Sequence, residues 1–238
     1  GPIVGLIYLK NHPDLFAQSI QGALTKAGPD FSLTGSATGF SAGIVIATGF
    51  SWFFGYLGGQ PQLSMRFMAI KDPVQAKKAR NIGIVWTIIA YLGALSIGWI
   101  GLAIFGPDGL ADREYVMPEV MMTIFPPAIA TVLITGAIAA MISTADSLLI
   151  LSSTELSENL LRPAFKMRDS LHRSRLITAA LAVIALILAY FSPSNFIYTI
   201  VGYVWSGIGG TFSVVILLTL FWKRFHGRAA LATIVVGL

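Results

Sequence analysis

The chain has 238 residues, 55% of them hydrophobic and 11% charged, where a soluble globular domain carries roughly 25% charged residues. A mean hydropathy of +0.75 excludes a water-soluble enzyme domain, and so apolar a composition excludes a disordered tail, which needs low hydrophobicity and high charge density. The formal net charge of +5 therefore matters through its distribution among loops.

The apolar residues gather into seven blocks: 1–9, 36–57, 82–105, 124–151, 176–191, 196–222 and 229–238. Four reach about 20 residues of spanning helix and residues 176–191 come close, and a backbone in lipid must satisfy its own polar groups. The expected class is all-α and polytopic. The first and last blocks are too short to span and carry no caps or charges at the chain ends, so the sequence is expected to be a piece of a longer protein. No charged segment precedes Gly1, which leaves a signal-peptide reading without support. With no cysteine, the chain has no disulfide and no cysteine-ligated metal.

After the first block, residues 10–35 are polar, contain Pro29, and are expected to hold a short surface helix around Leu15 to Thr25. The second block opens on Gly39-Phe40-Ser41-Ala42-Gly43. This matches the G-x-S-x-G nucleophile pattern, but that motif needs a strand, a sharp turn and acid and histidine partners. Here it opens an apolar helix, and the enzyme reading is rejected.

Further along, Gly55, Gly58, Gly59 and Pro61 cluster after Trp52. Glycine and proline at mid-span predict a break in the helix, the device by which many secondary transporters free backbone groups for solute and ions. Trp52 and Tyr56 are spaced i, i+4 and share a face; their rings suit a small amphipathic solute, and Gln60 can add hydrogen bonds. The competing reading is a structural kink with close glycine packing and aromatic flanks.

A basic loop follows, with Arg66, Lys71, Lys77, Lys78 and Arg80, before the third block. Residues 106–123 are acidic, with Asp108, Asp112, Glu114 and Glu119 against Arg113; they suit an outer vestibule for cations or simply a solvated loop. Phe125-Pro126-Pro127 fixes a turn at the start of the fourth span, because proline suits the first helical turn.

The fourth block carries the most informative run, Ala140 to Ser147 (AMISTADS). Ala140, Ser143, Thr144 and Ser147 fall on one helical face, and Asp146 is the one acid inside any expected span. Hydroxyls and a carbonyl supply part of an oxygen shell without formal charge, with the rest coming from a neighbouring helix. Sodium fits such a set better than calcium or magnesium, which generally recruit carboxylates, or transition metals, which favour His and Cys. The structural alternative is that the hydroxyls bond back to their own backbone. An ionisable residue within a span is a functional candidate by default.

Arg162, Lys166, Arg168, Arg173 and Arg175 form a second basic loop, and Lys223, Arg224 and Arg228 a third. Basic and non-basic loops alternate, so residues 10–35, 106–123 and 192–195 are expected outside. Lipid head groups suit these basic loops, and nucleic acid does not, because no soluble unit presents a basic face. In the sixth block Gly202, Ser206 and Gly210 form a small-residue stripe for close helix packing, and Tyr203 and Trp205 are weaker solute candidates.

Three segments, Trp52 to Ile70 (WFFGYLGGQPQLSMRFMAI), Ala140 to Glu158 (AMISTADSLLILSSTELSE) and Val201 to Leu217 (VGYVWSGIGGTFSVVIL), resemble the sodium/solute symporter family, and the sodium/proline branch in particular. The resemblance implies a LeuT-type core, an inverted five-plus-five helix repeat working by alternating access. Residues 1–238 would then be a partial transporter domain, from the end of core helix five through core helix ten and the start of the next, lacking the N-terminal helices. It implies a sodium site shared with core helix one, using the carbonyl of Ala140 and the hydroxyls of Ser143 and Thr144. A second sodium site in some relatives maps to Ser143, Asp146 and Ser147, together with a core-helix-five aspartate that this chain does not contain. Solute contacts map to Trp52 and Tyr56, with Gln60 as an addition.

The function implied is sodium-coupled symport of a small solute, proline or a related amino acid, by a multi-pass protein of a cell membrane, expected to be a bacterial inner membrane. The alternative is a symporter-like sensor module of a signalling protein. An enzyme is not expected, since the spans hold no paired acid and base and no metal motif.

Overall fold

The computed structural model describes residues 2–32, 34–56, 69–165, 171–192 and 197–237. Among these residues every regular element is helical. The helices are α1 (Pro2–Asn11), α2 (Ile20–Ala27), α3 (Phe40–Tyr56), α4 (Pro73–Phe105), α5 (Val116–Ile124) and α6 (Pro127–Thr154). A π turn at Glu155–Leu161 leads into α7 (Arg162–Phe165), followed by α8 (Leu171–Tyr190). Then come α9 (Ile197–Val204), a second π turn at Trp205–Gly209, α10 (Gly210–Phe221) and α11 (Gly227–Gly237).

Four continuous stretches are long and apolar enough to cross a membrane: Pro73–Phe105, Pro127–Phe165, Leu171–Tyr190 and Ile197–Phe221. These correspond to the third through sixth apolar blocks. The second block supplies α3, with 17 residues, or about 25 Å at 1.5 Å per residue. Its helix starts at Phe40, just after Gly39, whose φ of 59° is in the left-handed region. The nucleophile-like pentapeptide is thus a helix start. The expected break after Gly55 falls on residues 57–68, outside the described residues.

The helix starts differ from those the apolar blocks suggest. α4 begins nine residues before Ile82, because Asp72 caps it, its Oδ1 accepting from the Val74 N–H at 3.0 Å, and Pro73 occupies the first turn. Lys77, Lys78 and Arg80, read from sequence as loop residues, therefore lie on the first turns of a helix. Hydropathy locates the lipid-facing part of a helix, whereas a cap and an N-terminal proline locate its start. Arg173 and Arg175 likewise lie in α8, Arg162 in α7 and Arg228 in α11. Lys166 and Arg168 are outside the described residues.

The chain divides into two units, residues 1–134 with 201–238, and residues 135–200. In the first unit a buried cluster forms from Leu9, Ala23, Ile100, Leu102, Ala103, Ile104 and Val120. It joins α1, α2, the last two turns of α4 and α5. The expected helix at 15–25 is displaced to 20–27, because Ser19 caps it by accepting from Gly22 N–H at 3.1 Å. The preceding stretch stays outside the helix, and the Ala17 N–H donates to the Ala103 carbonyl at 2.9 Å. That bond satisfies a carbonyl in the last turn of α4, which has no partner within its own helix. α4 ends at Gly106, with φ of 75°, against the ring of Phe16.

The acidic stretch 106–123, expected as a loop, is also partly helical. Asp112 accepts from Glu114 N–H at 2.9 Å, opening a 3-10 turn at Arg113–Tyr115 that leads into α5. Val120 and Met121 of α5 are buried. The turn at Phe125-Pro126-Pro127 is as expected, although Ile124 closes α5 and does not open the fourth span. Elsewhere in this unit, α3 packs on the π turn Trp205–Gly209 and on α10, and α10 packs on α11.

The second unit contains α6 from Thr135 onward, α7, α8 and the start of α9. From Pro127 to Phe165 the helical stretch has 39 residues, or about 58 Å, against roughly 30 Å of hydrocarbon. Its far end is therefore longer than a bilayer needs. Glu158 and Arg162 pair there at 2.7 Å, one helical turn apart. No described residue of α8 is buried, consistent with apolar side chains that can face lipid.

Candidate functional site

The candidate cation face lies on α6. Its start is fixed by Pro126, whose carbonyl accepts from Ile129 N–H at 2.9 Å and Ala130 N–H at 3.0 Å. Four turns later, Ala140, Ser143, Thr144 and Ser147 align on one side of an unbroken helix. Thr144 Oγ1 donates to the Ala140 carbonyl at 3.0 Å, and Ser147 Oγ donates to the Ser143 carbonyl at 2.8 Å. The Ser143 hydroxyl has no hydrogen-bond partner among the described residues. Ala140, Ser143, Thr144 and Asp146 are exposed, and Ser147 is half-buried.

Both readings of these hydroxyls are thus visible on one helix. Thr144 and Ser147 bond back to the backbone as membrane-helix hydroxyls do, yet the bonds leave oxygen lone pairs available. A hydroxyl that donates its single hydrogen still has two acceptor positions. Ser143 and Thr144 can therefore present neutral oxygens outward without breaking the helix. The Ala140 carbonyl is more committed, because it takes the Thr144 hydroxyl in addition to its helical N–H. A cation at this carbonyl would have to share or displace that hydroxyl.

Asp146 makes no ion pair or hydrogen bond with the described residues, and its carboxylate faces outward from the same turn as Ser147. Among the described residues no group of three or more His, Cys, Asp and Glu comes together as a metal cluster. The donors available on α6 are therefore mainly hydroxyl and carbonyl oxygens, which suit a hard alkali ion.

Trp52 and Tyr56 lie one turn apart at the end of α3. Their side chains and the whole of Gln60 are outside the described residues, so the solute triad is placed only by the backbone of its first two members. Of the acids in residues 106–123, Asp112 serves as a cap and Asp108 sits 3.6 Å from Arg113 in an exposed pair. Those two acids have structural or solvated roles.

The sequence reading missed the π turn at Trp205–Gly209. It interrupts the sixth span where Gly207, Gly209 and Gly210 crowd together, and α3 packs directly on it. Single-turn π segments occur often at functional sites. Glycine density is the available signal, and it also fits a close-packing stripe. Gly202 and Ser206 of that stripe sit at the end of α9 and within the π turn, and Gly210 opens α10.

The sequence profile of the sodium:solute symporter family matches residues 19–237. Among curated proteins, the high-affinity proline transporter PutP of Bacillus subtilis is 37% identical over 194 residues, 79% of this chain and 41% of that protein. The osmoregulated proline transporter OpuE of the same organism is 38% identical over 200 residues, 82% of this chain and 40% of that protein. Sodium/proline symporter 2 of Staphylococcus saprophyticus is 34% identical over 197 residues, 79% of this chain and 38% of that protein. The chain thus spans about two fifths of the length of the curated relatives it matches. No solved structure matches the chain significantly.

Proposed function

The chain belongs to the sodium:solute symporter family, and from that premise we propose that the full-length protein carries proline or a related amino acid together with sodium across a cell membrane. The named relatives are transporters, not enzymes, and the apolar helices make this a multi-pass membrane protein. The observation that carries the proposal is the α6 face: a carbonyl and hydroxyls in one register, on a helix long enough to span.

In this reading Ala140, Ser143 and Thr144 hold sodium through neutral oxygens, with the remaining ligands on a core helix that is not among these residues. Removing most of an ion's hydration shell is tolerable only where several oxygens replace it. Asp146 and Ser147, with Ser143, would serve a second sodium ion. Trp52 and Tyr56 cover the apolar part of the solute, and Gln60 contributes hydrogen bonds. The fold proposed is a LeuT-type inverted repeat working by alternating access, oriented with the basic helix ends on the inside.

Coupling follows from linkage. If sodium favours the outward-open state and that state binds solute better, each ligand raises the affinity for the other by the same factor. The test is uptake by the full-length protein in proteoliposomes against a panel of amino acids, sialic acid, sugars and carboxylates, with and without a sodium gradient. Sodium-driven proline uptake is expected. Uptake indifferent to sodium would overturn the coupling, and preference for another solute would overturn the substrate.

A further inference from the structure

We propose that Thr211 is a positioning residue for the solute site: its hydrogen bond to Gly237 holds the π turn Trp205–Gly209 in register against α3. The proposal rests on the solute reading of Trp52 and Tyr56, which sit at the end of α3.

Hydroxyls on the apolar helices of this chain ordinarily bond to their own backbone. Thr131, Thr144, Ser147, Thr219 and Thr233 all donate to the carbonyl four residues earlier. Thr211 does not. Its Oγ1 donates to the Gly237 carbonyl at 2.7 Å, across 26 positions of sequence and between two helices. The residue four positions back is Gly207, inside the π turn, where the slip from α to π register shifts the carbonyls out of their usual place. The hydroxyl is thereby released for an interhelical bond.

The location makes that bond consequential. Thr211 lies ten residues before the end of α10, and Gly237 ten residues after the start of α11. Both are therefore about 15 Å from the connecting turn, near half of the roughly 30 Å hydrocarbon thickness. Little water competes at such depth. Thr211 is only 6% exposed, and a Cβ on Gly237 would lie 2.6 Å from Thr211 Oγ1, so glycine is what permits this approach. A carbonyl has two lone pairs, so accepting from Thr211 leaves Gly237 a second acceptor position. The π turn ends one residue before Gly210, which opens the helix bearing Thr211, and α3 packs on that turn. Moving α10 relative to α11 thus moves the surface on which the solute-bearing helix rests.

The experiment uses the full-length protein with any cysteine outside these residues replaced, since the 238 residues contain none. Thr211→Val keeps the shape and removes the donor. The expected result is a three- to tenfold rise in KM for proline, with kcat and the half-saturating sodium concentration within twofold, and restoration by Thr211→Ser. A second readout is independent of transport. A Cβ at Gly207 meets nothing within 4 Å, so Gly207→Cys reports on the π turn through its rate of modification by a membrane-permeant thiol reagent. Thr211→Val should change that rate at least threefold and Thr211→Ser should not. Should Thr211→Val fail to reach the membrane, the pair Thr211→Ala and Gly237→Ala carries the same expectations with small side chains at both positions. A sodium-independent or inactive parent would defeat the transport reading alone and leave the labelling to decide this one. Unchanged labelling, or an equal loss of kcat that Ser does not restore, overturns the positioning role.

Discussion

The Thr144 hydroxyl lies 3.0 Å from the Ala140 carbonyl, so two of the three oxygens proposed for one cation are already bonded to each other. Sodium arriving there must compete with this bond, and its affinity depends on what the hydroxyl offers in exchange. Thr144→Ala removes that oxygen and leaves the carbonyl with its helical partner only. The half-saturating sodium concentration for uptake should rise tenfold or more, equivalent to about 1.4 kcal/mol. Ser143→Ala should do the same, because Ser143 loses no hydrogen bond among the described residues and its oxygen has no other evident task. Thr144→Ser keeps the oxygen and should stay within about threefold of the parent. Sodium-dependence curves for the three variants, normalised to membrane abundance, check this.

Asp146 sits two residues beyond Thr144, without an ion pair or hydrogen bond among the described residues. If it contributes to a second sodium ion, Asp146→Asn should flatten the sodium dependence and raise the half-saturating concentration two- to fivefold, less than Thr144→Ala does. The expected signature is a fall in the Hill coefficient with solute KM at saturating sodium unchanged. A steep curve identical to that of the parent would remove Asp146 and Ser147 from any ion site.

Trp52 and Tyr56 are one turn apart on α3, so each truncation should open the same wall of the solute site. Trp52→Ala and Tyr56→Ala are expected to raise proline KM by at least tenfold while shifting sodium affinity by less than threefold. Competition of labelled proline binding at fixed sodium measures the first, and sodium titration at saturating proline the second. Parallel loss of both affinities would point to misfolding of α3.

The parts of this architecture that were legible in the sequence depend on periodicity. The i, i+3, i+4, i+7 spacing of Ala140, Ser143, Thr144 and Ser147 needs only an unbroken helix, and α6 supplies one. The Phe125-Pro126-Pro127 turn follows from proline chemistry alone. What the apolar pattern hid was set by single polar contacts. Asp72 starts α4 well before its apolar stretch, and Ser19 starts α2 five residues later than expected. The π turn at Trp205–Gly209 coincides with a glycine-rich run, but glycine density alone does not distinguish close helix packing from a slip to i→i+5 bonds. The Thr211 bond to Gly237 joins helices that sequence spacing does not relate.

The packing of α5 on α4 offers a prediction that does not depend on transport. Gly101 lies where a Cβ would collide with Cγ2 of Val116 and press on Val120, whose Cγ2 would be 3.2 Å away. Val120 belongs to the buried cluster and Val116 packs against it, so the space cannot be recovered by swinging a flexible side chain into solvent. Gly101→Leu should therefore destabilise by about 1–3 kcal/mol through overpacking, seen as a lower midpoint in thermal size-exclusion of the detergent-solubilised protein. Val116→Ala removes the colliding methyl, costs some stability alone, and should recover part of the loss when combined with Gly101→Leu. Contacting residues commonly show coupling of about 0.5–3 kcal/mol in such a cycle. Additive losses would mean that α5 has moved off α4 in the membrane-embedded protein.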